Sequence, residues 1–166
     1  MNENEISRTG QPAGVPLAGR ANPTHRILVV EDDADLRRLN AEVLMNSGYM
    51  VDAAEDGADA WVALNAASYD LMITDHTMPK VTGVELLKKL HATRMALPVI
   101  LASGALPEDE FTRHPWLQPA ATLMKPYTVV ELLGTVEKVL RATDSPGEAR
   151  AQPNLPNDPS TTVLRL

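Results

Sequence analysis

Asp75 stands at the end of a short apolar run, Leu71-Met72-Ile73-Thr74, with Pro79 and Gly83 close behind it. Residues suited to a buried strand give way to a carboxylate where the chain must turn. In an open α/β sheet, that edge is where ligands and reacting groups collect. A carboxylate there can act as a nucleophile and carry a phosphoryl group as an acyl phosphate. The plainer reading is an Asp that only shapes a turn. The residues at the ends of the other apolar runs decide between the two.

Three other runs end in groups that suit the same chemistry. Arg26-Ile27-Leu28-Val29-Val30 leads into Glu31, Asp32 and Asp33. Pro98-Val99-Ile100-Leu101-Ala102 leads into Ser103-Gly104, and Thr122-Leu123-Met124 into Lys125-Pro126. Carboxylates gathered together repel, and one would stay protonated unless a cation joined them. A few carboxylates without His or Cys suit Mg²⁺, which keeps several waters and accepts a phosphate oxygen. Lys125 adds a mobile positive charge, Ser103 a hydroxyl donor, and Gly104 leaves the approach open. The set fits in-line phosphoryl transfer to Asp75, which needs positioning and charge neutralisation above all.

Other polar residues read as structural. Asp33 suits the N-cap of the helix after it. His76 reads as an exposed loop side chain, and His25, His91 and His114 as surface or loop residues. Met45, Met50, Met72, Met78 and Met124 read as gap-filling core or loop residues.

The elements that must hold these groups alternate. After the Glu31 turn, Leu36, Leu39, Val43 and Leu44 recur at helical spacing, and Gly48 suits a helix end. Tyr49-Met50-Val51-Asp52-Ala53-Ala54 is a second strand, broken by Asp56-Gly57, and an Ala-rich helix over 58–67 turns Trp61 and Leu64 inward. A helix starting at Thr82 or Gly83 buries Val84, Leu86, Leu87 and Leu90. Pro107 and three acids open another helix, which Pro115 and Pro119 restrict to one or two turns, with a loop carrying Trp116 after it. Thr128 and Glu131 form a capping box ahead of Val129, Leu132, Leu133, Val136 and Leu140. Five strands alternating with five helices predict an α/β fold. It is a doubly wound, five-stranded parallel sheet with a shortened fourth helix, covered on both faces.

Bulk composition limits the alternatives. The 166 residues carry 15 basic and 22 acidic side chains, a net charge of −7, which argues against a nucleic-acid footprint. The absence of Cys excludes disulfides and thiolate metal sites. No apolar run approaches the ~18 residues of a membrane span, and the start of the chain has no apolar signal segment. A cytoplasmic location is the expectation. Pro- and Gly-rich composition predicts a disordered arm over residues 1–24 and a disordered tail over 143–166, around a domain at 25–142.

The runs ending in Glu31-Asp32-Asp33, Thr74-Asp75-His76-Thr77-Met78-Pro79 with Gly83, Ser103-Gly104 and Lys125-Pro126 resemble the receiver domain of bacterial two-component response regulators, over about residues 25–142. That resemblance implies a flavodoxin-like sheet of order 2-1-3-4-5. It implies that Asp75 accepts a phosphoryl group from a histidine kinase or histidine phosphotransfer protein. It also implies that Asp32, Asp75 and the backbone carbonyl of Thr77 bind Mg²⁺ with help from Glu31, that Ser103 and Lys125 sense the phosphate, and that Lys125-Pro126 is cis. Glu31 stands where Asp is commoner. Thr122 stands where the family usually has a switch aromatic, so the usual inward-turning aromatic cannot operate, and a rearrangement within 103–122 is expected instead.

The predicted function is a single-domain response regulator. It would be a phosphoacceptor switch, not an enzyme acting on a separate substrate, and would signal through a partner on the 103–142 face or relay its phosphate. One alternative is a receiver-like interaction module that is never phosphorylated. Another is an aspartyl-phosphate phosphatase, against which Thr77 stands where such enzymes carry a second Asp.

Overall fold

A computed structural model describes residues 25–144; the predicted arm at 1–24 and the tail from 145 onward lie outside the described residues. The elements alternate: β1 (Arg26–Val30), α1 (Ala34–Asn46), β2 (Met50–Ala54), α2 (Gly57–Ala66), β3 (Leu71–Asp75), α3 (Gly83–Ala92), β4 (Val99–Ser103), α4 (Glu108–Arg113), a 3₁₀ turn (Pro115–Leu117), β5 (Ala121–Met124) and α5 (Val129–Asp144). The strands form one parallel sheet in the order β2-β1-β3-β4-β5. This is the flavodoxin-like order expected, and α4 is short, at 6 residues.

The sheet is buried on both faces because its central strands are apolar through most of their length, with polar residues only at their ends. Alternation divides them between two cores. Ile27 and Val29 of β1 and Leu71 and Ile73 of β3 pack with Leu44 of α1 and with Leu132, Val136 and Leu140 of α5. Leu28, Val30 and Met72 face the other way, onto Ala60 and Leu64 of α2 and Leu86, Leu87 and Leu90 of α3.

The helix starts are determined locally. Asp33 and Asp56 cap α1 and α2 through their carboxylates. Thr82 and Glu85 form a capping box at α3. Thr128 and Glu131 form the predicted one at α5, with Glu131 N–H donating to Thr128 Oγ1 at 3.2 Å and Thr128 N–H to Glu131 Oε2 at 2.7 Å. Gly48, just past α1, has φ +92°, which favours glycine.

Several side chains depart from their predicted places. Leu39 and Val129 are about half exposed; Asn40 takes the inner position on α1, and Val139 joins the buried face of α5. Met45, Met50 and Met124 are exposed, whereas Met72 and Met78 are core residues. His25 is buried instead of lying on the surface, between Asp70 and Asp144. The segment carrying Trp116 is a 3₁₀ turn, not an open loop, and the indole stacks on His91 at 4.2 Å between ring centroids. Helix α5 continues to Asp144, two residues past the expected boundary.

Candidate functional site

Strand register brings the predicted groups level. Val30 pairs with Thr74, Asp75 with Ala102, and Ser103 with Met124. Glu31, Asp75, Ser103 and Lys125 therefore sit at or one residue beyond the last paired positions of four strands. Three further backbone bonds secure those ends: Glu31 N–H to Ala54 C=O at 3.2 Å, His76 N–H to Ala102 C=O at 2.9 Å and Lys125 N–H to Ser103 C=O at 2.9 Å.

Lys125 is the hub. Its Nζ donates to Glu31 Oε2 at 2.7 Å and to Asp75 Oδ2 at 2.8 Å. Both carboxylates are buried, and such charge-assisted bonds are the strong ones. Two acids thus share one ammonium. Burial alone would push the Lys125 ammonium down, but its bonds to Asp75 and Glu31 outweigh that and hold it above the usual lysine range. Glu31 is the under-compensated partner: burial pushes its carboxyl up, and the bond to Lys125 only partly offsets this.

Asp32 completes the cluster. Oxygens of Glu31, Asp32 and Asp75 lie within 4.8 Å of one another, the first and last buried and Asp32 exposed. Three hard oxygen donors at one open-sided spot fit a divalent cation that keeps part of its water shell. Arg37, one turn into α1, donates to the backbone carbonyls of Glu31 at 2.6 Å and Asp32 at 3.3 Å, which shapes the acidic turn from behind.

The loop after Asp75 is also held to it. Thr77 N–H donates to Asp75 Oδ1 at 3.2 Å, and Thr74 Oγ1 donates to Asp75 C=O at 3.0 Å. Gly83 is needed where α3 begins, since a Cβ there would lie 2.4 Å from the Asp75 carbonyl oxygen and 2.8 Å from Leu101 Cδ1. No side chain other than hydrogen lets α3 approach so closely.

Ser103 is placed differently from its neighbours. It is buried, and its Oγ is engaged with its own turn, donating to Ala105 C=O and accepting from Ala105 N–H at 3.1 Å. His76, predicted to be exposed, is half-buried, and its Nδ1 is buried without a hydrogen-bond partner.

The residues 27–137 match the family of response regulator receiver domains. The chain is a member of that family. It is 33% identical over 122 residues to the response regulator receiver protein CpdR of Brucella abortus, covering 70% of this chain and 98% of CpdR. It is 35% identical to response regulator RppA of Synechocystis sp. over 85% of this chain, and spans about three fifths, 62%, of RppA. Among solved structures, the response regulator TrrA of Thermotoga maritima in complex with Mg²⁺ and BeF is 29% identical, with TM-score 0.60, over 69% of this chain and 98% of that one. The CheY-like receiver domain protein of Methanospirillum hungatei superposes with TM-score 0.69 at 25% identity, over 74% and 98% of the two chains.

The loop after Lys125 and its supports complete the site of this receiver domain. Lys125-Pro126 is cis, as the family resemblance implied. Tyr127, next in sequence, accepts a bond from Asn40 Nδ2 at 2.9 Å, tying the loop after Lys125 to α1. Thr122 is exposed on β5, where an aromatic switch residue would stand. Arg37, Asn40 and Tyr127 were not legible as site supports. Their partners are backbone or lie far away in sequence, and no spacing rule marks them.

Proposed function

We propose that the chain is a phosphoacceptor response regulator in which Asp75 receives a phosphoryl group from a histidine kinase or histidine phosphotransfer protein. The observation that carries this reading is the Asp75 carboxylate, buried at the end of β3, within 2.8 Å of Lys125 Nζ and among three clustered carboxylates. An Asp75 oxygen attacks phosphorus in line. A P–O bond forms as the P–N bond to the donor histidine breaks, and the departing nitrogen keeps the electron pair and takes up a proton.

Glu31, Asp32, Asp75 and the Thr77 backbone carbonyl would hold Mg²⁺, which when bound neutralises charge on the phosphoryl oxygens. Lys125 leaves its bond to Asp75 and pairs with a phosphoryl oxygen while keeping Glu31. Ser103 gives up the Ala105 carbonyl and donates to another oxygen. Those two moves link Asp75 to the Ser103–Ala105 turn and, through Lys125, to the Asn40–Tyr127 contact. Output on the 103–142 face results from them, without an aromatic at Thr122. The Mg²⁺ and BeF complex of TrrA supports the metal assignment.

Acetyl phosphate with Mg²⁺ should label the protein with an alkali-labile phosphoryl group, and Asp75→Ala should abolish the label. A wild-type protein that takes no label with Mg²⁺ from acetyl phosphate or a histidine donor would leave the unphosphorylated interaction module as the better reading.

A further inference from the structure

The segment between Asp75 and α3 is pinned from the side by α2. Asp56 is 2% exposed, and its Oδ1 accepts from Ala58 N–H at 2.8 Å and Asp59 N–H at 3.0 Å, which caps α2. Its second oxygen, Oδ2, is free of the cap and takes the ammonium of Lys80. Lys80 is five residues past Asp75 and has φ +63°, a region that L side chains rarely adopt. Beside this pair, the backbone of α2 lies against the same segment. A Cβ at Gly57 would stand 2.4 Å from the Val81 carbonyl oxygen and 2.7 Å from Val81 Cβ.

The glycine lets the two backbones meet and the ion pair closes them, so Asp56-Gly57 acts as a clasp. Met78, 6% exposed, anchors the segment into the core shared by α2 and α3. Thr77 lies between the end of β3 and Met78, and its N–H reaches Asp75 Oδ1.

We infer that Asp56 and Lys80 are positioning residues for the phosphoacceptor site: their ion pair holds the 76–82 segment so that the Thr77 backbone stays beside Asp75. The inference rests on the phosphoacceptor reading for its functional half only. Glu55 and Asp59 lie beside Asp56 but are exposed, while Asp56 itself is satisfied by Lys80 and the α2 amides, so the pair is read as a clasp.

Two variants separate the clasp from the fold. Lys80→Met removes the ammonium and leaves the α2 cap intact. Asp56→Ser keeps a capping oxygen and removes the acceptor for Lys80. Lys80→Arg restores the charge and is the rescue control. In full-length protein, the Mg²⁺ concentration giving half-maximal labelling by acetyl phosphate should rise about threefold to fivefold in both clasp variants, the scale of one partly exposed ion pair. Labelling at saturating Mg²⁺ should change little, and Lys80→Arg should track wild type. Amide exchange at Thr77, Val81 and Gly83 should quicken by a similar factor, while Met72 in β3 stays unchanged.

Unchanged exchange in Lys80→Met would overturn the clasp. Faster exchange with an unchanged Mg²⁺ requirement would overturn its positioning role. A wild-type chain that takes no label would sink the phosphoacceptor reading and the functional half of this one; the exchange measurement would still decide whether the pair holds the segment.

Discussion

Replacing Lys125 by Met tests the electrostatics of the site most directly. Met keeps most of the stem and removes the charge. Glu31 and Asp75 then lose their shared cation while remaining within 4.8 Å of each other and of Asp32. At an effective dielectric constant near 20, two unit charges at that spacing repel by about 3.5 kcal/mol. Removing one member of a buried pair costs about 3–5 kcal/mol, and the partial exposure of Lys125 places this case at the low end. Urea unfolding of the variant in EDTA at pH 7.5 should show a loss of about 3 kcal/mol against wild type. Saturating Mg²⁺ should shrink that loss, because a divalent ion replaces the missing charge among the same oxygens. Lowering the pH to 5.5 should shrink it too, since one carboxyl then takes up a proton. A loss below 1 kcal/mol in EDTA, or one that neither Mg²⁺ nor acid reduces, would refute the shared-cation account.

Glu31 supplies a pH test. Burial raises its folded-state pKa above the unfolded value of 4.5, so its contribution to stability is present below pH 4.5 and is lost as pH rises through the raised value. Thermal melts in EDTA should show Glu31→Gln gaining on wild type as pH climbs from 4.5 toward 8; a pH-independent gap would contradict this. Gly83→Ala forces a methyl against the Asp75 carbonyl and should cost about 1–3 kcal/mol in urea unfolding and slow acetyl-phosphate labelling. Asn40→Ala strips the Tyr127 hydroxyl of its donor and should cost about 1–3 kcal/mol, readable in the same unfolding assay.

In the proposed function, the path from Asp75 to a partner would run through unusual parts of this receiver. Under that function, Ser103 would exchange the Ala105 carbonyl for a phosphoryl oxygen, so the first group displaced would be a turn and not an aromatic ring. The surface beyond that turn is built from the short α4, the 3₁₀ turn and the His91–Trp116 stack. The prolines at 115 and 119 that shorten α4 were plain in the sequence. The stacking of Trp116 back onto α3 was not, because His91 lies in a different helix, 25 positions earlier in the chain.

Local sequence was enough to place the strands, the turns and the side chains that stand at the turns. Those depend on near neighbours: runs of Val, Ile and Leu, breaks at Gly and Pro, and capping side chains within three residues. Parallel pairing then leaves one edge for all the strand ends, so Glu31, Asp32, Asp75 and Lys125 had to meet. How the members of that edge are used emerged from the folded chain alone. Lys125 divides itself between two acids, Ser103 turns to Ala105, Gly83 makes room for the Asp75 carbonyl, and Asp56 reaches across 24 residues to Lys80. Most of these are contacts between distant segments, and the energy of each depends on packing distance and burial. Neither quantity is written in the order of the residues.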